Sequence, residues 1–191
     1  MLAAIYQSVF RPDAFCHNPK GQLLIDKHGW VFIAVRWLYY SIVFSLFRDY
    51  HGSWKPFADP PFGLSLDKYA TLQKILSPIF GFFLMASMTG SLVAYLRRIG
   101  KEVPASRVFN ILGVTFFLPF VVLQPLDLIA ITKGRWRLSV IPLLHTVVLV
   151  WEAIAAMAIL DRLYRIRARD RIAGVGLISG VWILIARALW R

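Results

Sequence analysis

The chain has 191 residues, of which 58% are hydrophobic, 15% aromatic and only 17% charged, with a formal net charge of +12. A soluble domain of this length is nearer half apolar and a quarter charged, so the composition excludes an ordinary water-soluble fold. On such a chain the positive surplus speaks first of topology and anionic lipid headgroups, and nucleic acid is not expected as a partner.

The first fifteen residues, MLAAIYQSVFRPDAF, lack the basic start, apolar core and small-residue cleavage site of a signal peptide. Leu2, Ile5, Tyr6, Val9 and Phe10 recur at three- and four-residue spacing, which predicts a short amphipathic helix. Pro12 discourages Arg11 from continuing it, and Asp13 can start a further turn. The aromatic face either lies in the headgroup plane or packs on the protein's own spans. Both readings put residues 1–29 at the cytosolic boundary as an N-terminal interfacial segment. The single cysteine, Cys16, cannot form an internal disulfide.

Five apolar blocks follow, at about 30–47, 73–96, 108–130, 138–160 and 172–190. Each is close to the roughly 17–25 residues that a bilayer core requires. Backbone groups in lipid must be satisfied within the segment, so the blocks should be helices, and they are too long and continuous for the strands of a membrane barrel. The predicted fold is an all-α integral membrane protein: a bundle of five transmembrane helices over residues 30–191, preceded by the amphipathic interfacial helix.

Between the first two spans, residues 48–72 carry Tyr50, Trp54, Phe57 and Phe62 among Pro56, Pro60 and Pro61. Such a loop should lie on the outer interface. Ser65 is placed to cap the second long helix. That helix carries Ala86, Gly90 and Ala94 at four-residue spacing, and the fifth carries Gly176 and Gly180. These suit close helix contacts within the chain or in a homo-oligomer. The third span contains Pro119, Gln124, Pro125 and Asp127. Either its helix ends near Leu123 with residues 124–132 as a half-buried turn, or one bent helix continues. Such a break lines a substrate path or is a plain structural kink.

Counting Lys and Arg on alternate sides of five spans gives twelve on the side of the N-terminus and nine on the other. The positive-inside rule then places the N-terminus in the cytosol. The second and fourth connections carry most of that signal because they are short and densely basic. The fourth, DRLYRIRARDR, holds Arg162, Arg165, Arg167, Arg169 and Arg171. These arginines suit contact with anionic headgroups or with a membrane protein partner, unless they serve orientation alone.

Ionisable groups within spans are costly and mark function by default. The intramembrane polar set is Arg36, Glu152, His145, Gln124 and Asp127. The first and fourth spans run antiparallel. Arg36 lies about 9 Å from one boundary and Glu152 about 12 Å from the same one, at roughly 1.5 Å per residue. Opposite charges at matched depth are expected to approach each other, unless Arg36 snorkels to the headgroups. His145 lies two turns from Glu152, roughly 10 Å, too far for both to hold one metal ion unaided. No carboxylate pair spaced for acid–base work, Gly-rich phosphate loop, HExxH or GxSxG occurs, so neither catalysis nor a cofactor nor a metal is expected.

The turn Phe10-Arg11-Pro12, the five spans, and the proline of the third span after a small basic loop (Arg107-Val-Phe-Asn-Ile-Leu-Gly … Leu118-Pro119) resemble the Yip (Ypt-interacting protein) domain membrane family in its small bacterial form. The resemblance implies a five-helix bundle without known catalysis, in a bacterial inner membrane. Eukaryotic members are associated with trafficking GTPases and membrane shaping, but no residue here matches a motif for that partner. The function expected is that of a membrane scaffold or a lipid- or protein-interacting subunit. The alternatives are a small transporter or channel component using the polar residues of spans one, three and four, and a membrane enzyme acting on a lipid.

Overall fold

The computed structural model describes residues 1–51, 63–132 and 140–189, and every regular element in them is a helix. Three short helices come first: α1 (Leu2–Phe10), α2 (Pro12–His17) and α3 (Pro19–Leu23). A π-helical turn, Leu24–His28, leads into α4 (Trp30–His51). Then come α5 (Leu66–Arg98), α6 (Ala105–Thr115), α7 (Phe117–Thr132), α8 (Val140–Tyr164) and α9 (Ala168–Leu189).

Among the described residues, three stretches are long and apolar enough to cross a membrane: Ile75–Arg98, Ala105–Leu126 and Leu143–Tyr164. The described apolar part of α4, Trp30–Ile42, is shorter than a span. The protein is therefore an all-helical chain with three membrane-crossing candidates. The aromatic, proline-rich stretch within 48–72 lies largely outside the described residues.

Local sequence accounts for the helix boundaries. Arg11 leaves the helical region (φ −141°, ψ 65°), as the following proline favours, and Pro12 opens α2 at a position where no amide is needed. Asn18 caps α3 by accepting from the Lys20 amide at 3.0 Å, with Pro19 in the first turn. Ser65 caps α5, accepting from the Lys68 amide at 3.4 Å. The third span continues as one bent helical stretch, as the second alternative expects, with the bend at Phe116, where the backbone stays in the right-handed helical region between α6 and α7. Pro119 then falls in the first turn of α7, where its missing amide costs nothing, and α7 continues through Pro125 to Thr132. Residues 124–132 are thus helical and form no half-buried turn.

The core lies about α6, which packs against α5 and against α8, with Met88, Leu92, Leu96, Ile111, Leu112, Ala153, Ala156 and Leu160 fully buried. Within lipid such contacts hold by close packing, so small residues sit where helices touch. A Cβ on Gly81 would run into the Trp37 ring, and one on Gly174 into Met157. A Cβ on Gly29 would collide with the Asn110 backbone, and one on Gly113 with the Gly29 carbonyl. Glycine at 29 and 113 is what lets the start of α4 touch α6. By contrast, a Cβ on Gly90, Gly176 or Gly180 would meet nothing, and Ala86, Gly90 and Ala94 are exposed. The small-residue stripe seen in the sequence is not what packs this bundle internally.

The N-terminal segment packs on the protein's own helices. Ala4, Ile5, Ser8 and Val9 of α1 are buried, while Leu2, Tyr6 and Phe10 face outward. The Phe10 ring lies 5.5 Å from that of Trp151. Trp151 is about 16 Å along α8 from Arg162, at 1.5 Å per residue. The aromatic end of α1 therefore reaches well along the side of α8.

Candidate functional site: a buried ion pair and a basic end

Arg36 on α4 and Glu152 on α8 meet at 2.8 Å between Nη1 and Oε1. Glu152 is 1% exposed and the Arg36 side chain 13%. The same Arg36 nitrogen also donates to the Phe116 carbonyl oxygen, at the break between α6 and α7. Its guanidinium lies 4.7 Å from the Phe120 ring centroid and 5.5 Å from that of Phe116. One cation therefore ties α4 to α8 and to the α6–α7 junction, and its charge is shared among a carboxylate, a carbonyl and two ring faces. Arg36 does not snorkel.

Other members of the expected polar set are less concentrated. Gln124 is buried on α7, and His145 is half-buried on α8, two turns from Glu152. Asp127 lies within α7, but its side chain lies outside the described residues. Among the described residues no three of His, Cys, Asp and Glu gather as metal ligands would.

A second polar node escaped the sequence reading. Asn110 is 4% exposed on α6. Its Nδ2 donates to the Ile25 carbonyl at 3.0 Å, and its Oδ1 accepts from the Trp30 amide at 3.0 Å. It thus closes the backbone on both sides of Gly29, where the π-helical turn passes into α4. The available signal was a lone amide in an apolar run, which by itself does not say what it faces.

The basic end gathers three connections. Asp13 pairs with Arg162 at 2.7 Å, and Asp26 with Arg107 at 2.7 Å. The Tyr95 hydroxyl donates to Asp170 at 3.1 Å, joining the end of α5 to the start of α9. Residues 11–28, 97–107 and 161–171 therefore lie together at one end of the bundle. They carry twelve Lys and Arg against five Asp and Glu.

The arginines of the fourth connection are mostly engaged within the chain. Arg162 pairs with Asp13, Arg167 with Asp170 at 2.9 Å, and Arg171 with Asp161 at 2.9 Å, while Arg169 stands 3.8 Å from Asp170. Burial works against the Asp170 charge. Hydrogen bonds from Arg167 and Tyr95, with the charges of Arg167 and Arg169, outweigh it and hold the carboxyl below its usual value. Burial, aided by Asp13 and opposed by Arg162, pushes the Cys16 thiol up to about 11. This free cysteine is buried and protonated at neutral pH.

Compared with protein-family models, with curated proteins and with solved structures, the chain matches none.

Proposed function

We propose that the chain is a five-span membrane protein without catalysis, acting as a scaffold or subunit whose basic end meets anionic lipid headgroups. In this reading α4 and α9 complete the bundle beside the three longer apolar stretches. The N-terminus, the second connection and the fourth connection face the cytosol of a bacterial inner membrane. The observation that carries it is the convergence of three basic connections on one end, with a surplus of seven positive charges. Such a surface is attracted to an anionic leaflet by about 1 kcal/mol for each basic residue near it. The Yip-like sequence layout supports the same architecture.

Two measurements test it. Labels placed at the two termini in intact cells should react from opposite faces, with the N-terminus cytosolic; reaction from one face would reject five spans. Native mass spectra from mild detergent should retain phosphatidylglycerol in preference to phosphatidylcholine; equal retention would reject the headgroup reading.

The buried charges favour a second reading, in which α4, α7 and α8 line a path for a solute. Proteoliposomes that carry a flux abolished by Glu152→Gln, in a variant that still folds, would establish it. The closed set of partners around Arg36 supports a structural tie instead.

A further inference from the structure

The connection between α8 and α9 holds one backbone conformation that its residue type does not favour. Arg165 has φ +52°, in the left-handed region that usually takes glycine at the end of a helix. Its neighbours fix it there. The Arg165 amide donates to the Asp161 carbonyl at 2.7 Å, closing the last turn of α8. The Ile166 amide donates to Asp161 Oδ1 at 3.0 Å, Arg171 donates to Asp161 Oδ2 at 2.9 Å, and the Ile166 side chain is buried.

Nothing in that turn uses the Arg165 guanidinium. The side chain is exposed and makes no ion pair among the described residues, while Arg162, Arg167, Arg169 and Arg171 each stand within 4 Å of a carboxylate. A glycine would hold the same turn without strain. The turn accounts for the backbone conformation but not for the residue type, and an arginine kept where glycine would be free of strain points to a use of its side chain outside the chain. The position fits that use, because the apolar run of α8 ends at Leu160, a few residues earlier.

We propose that Arg165 is the anion-receiving residue of the basic end, taking the phosphate of a lipid headgroup on the paired N–H donors of its guanidinium. The four neighbouring arginines stand against Asp13, Asp161 and Asp170 within the chain, which leaves Arg165 as the arginine of this connection with no carboxylate beside it among the described residues. A guanidinium suits this role because its planar fork matches two phosphate oxygens at once. The inference rests on the headgroup reading above and assigns it to one residue.

Thermal unfolding of the full chain in neutral detergent tests it, with alkylation of Cys16 reporting the loss of the fold. Adding dioleoylphosphatidylglycerol should raise the midpoint by about 3–5 °C over phosphatidylcholine, the size expected of a ligand bound only by the folded state. Arg165→Gly should unfold at the same or a higher temperature than the parent without lipid, yet lose more than half of that shift. Arg98→Gln, which removes one exposed positive charge elsewhere at the same end, should keep most of it. Inorganic phosphate separates the two sources of this chemistry. A shift with phosphate, lost in Arg165→Gly, identifies a free phosphate site; no shift with phosphate identifies the lipid. A full lipid shift in Arg165→Gly, or an equal loss in Arg98→Gln, would overturn the assignment while leaving the headgroup reading in place. No lipid shift in the parent would overturn both.

Discussion

Two arginine–carboxylate pairs in this protein are nearly identical in length and opposite in setting. Arg36 and Glu152 stand 2.8 Å apart, with the carboxylate 1% exposed. Arg162 and Asp13 stand 2.7 Å apart, with side chains 56% and 62% exposed. Separation therefore says little about what each pair is worth. The attraction of unit charges scales inversely with the local dielectric, and each exposed group keeps water as an alternative partner. Inside the bundle the alternative to the pair is an uncompensated charge. The buried pair thus matters mainly for what its loss would leave behind, and the exposed one for which segments it aligns.

The largest expected effect follows from that difference. Glu152→Ala leaves Arg36 with a carbonyl and two rings but no counter-charge, and should destabilise the fold by about 3–5 kcal/mol. Denaturant titration followed by Cys16 alkylation would measure it. Replacing both partners, Arg36→Met with Glu152→Leu, should recover most of the loss, because no charge then remains buried. Exchanging the two charges should recover only part. A glutamate at position 36 cannot donate to the Phe116 carbonyl, and it would place negative charge against the faces of Phe116 and Phe120. Full recovery by exchange would show that the carbonyl and ring contacts add nothing.

Asn110 supplies the neutral counterpart of the buried pair. Asn110→Ala strands the Trp30 amide and the Ile25 carbonyl, and should cost about 1–3 kcal/mol. Asn110→Asp should be no better. It keeps an acceptor for Trp30 but sets a carboxylate against the Ile25 carbonyl. A cost as large as that of Glu152→Ala would mean that burial, and not charge, sets the scale in this bundle.

These two nodes also mark how far the sequence could be read. Arg36 and Glu152 were legible because charges are rare in apolar blocks, and because alternating spans put the two at one depth. Asn110 was not, since its partners are backbone groups where a π-helical turn passes into α4, 80 and 85 residues away, and no periodicity announces such a turn. The bend of the third span was legible, but its position at Phe116 was not, for a related reason. A proline in an apolar run fits the first turn of a new helix as well as the end of an old one, and Pro119 lies in the first turn of α7 while Pro125 lies inside it. The fourth-loop arginines were legible as a basic cluster, but not as partners of Asp13, Asp161 and Asp170, because ion pairing depends on how the ends of the helices converge.

Asp170 lies between the two extremes, at the exposed end but itself buried, and pH is the means of probing it. Its carboxyl is held below the usual value, so its contribution is present above the unfolded carboxylate range and is lost as pH falls through the lower folded value. Stability should therefore not change on account of Asp170 between pH 5 and 8, and should fall below about pH 4. Asp170→Asn should flatten that acid limb. An unchanged limb in the variant would move the acid sensitivity to another carboxylate.

The smallest effect is expected at the exposed pair. Asp13→Asn should cost at most about 1 kcal/mol, and the cost should vanish as salt is raised towards about 1 M, where screening reaches only about 3 Å. The N-terminal segment should stay docked, because its hold on the bundle lies elsewhere. Phe15 and Ile25 are fully buried, and Phe10 packs edge-on against Trp151. Phe15→Ala should therefore speed Cys16 alkylation in the native protein far more than Asp13→Asn does, since Cys16 follows it in α2. If Asp13→Asn alone exposed the thiol, and did so at high salt as well, the exposed pair would be carrying the docking. The contrast between the two ends of this molecule would then be one of position rather than of medium.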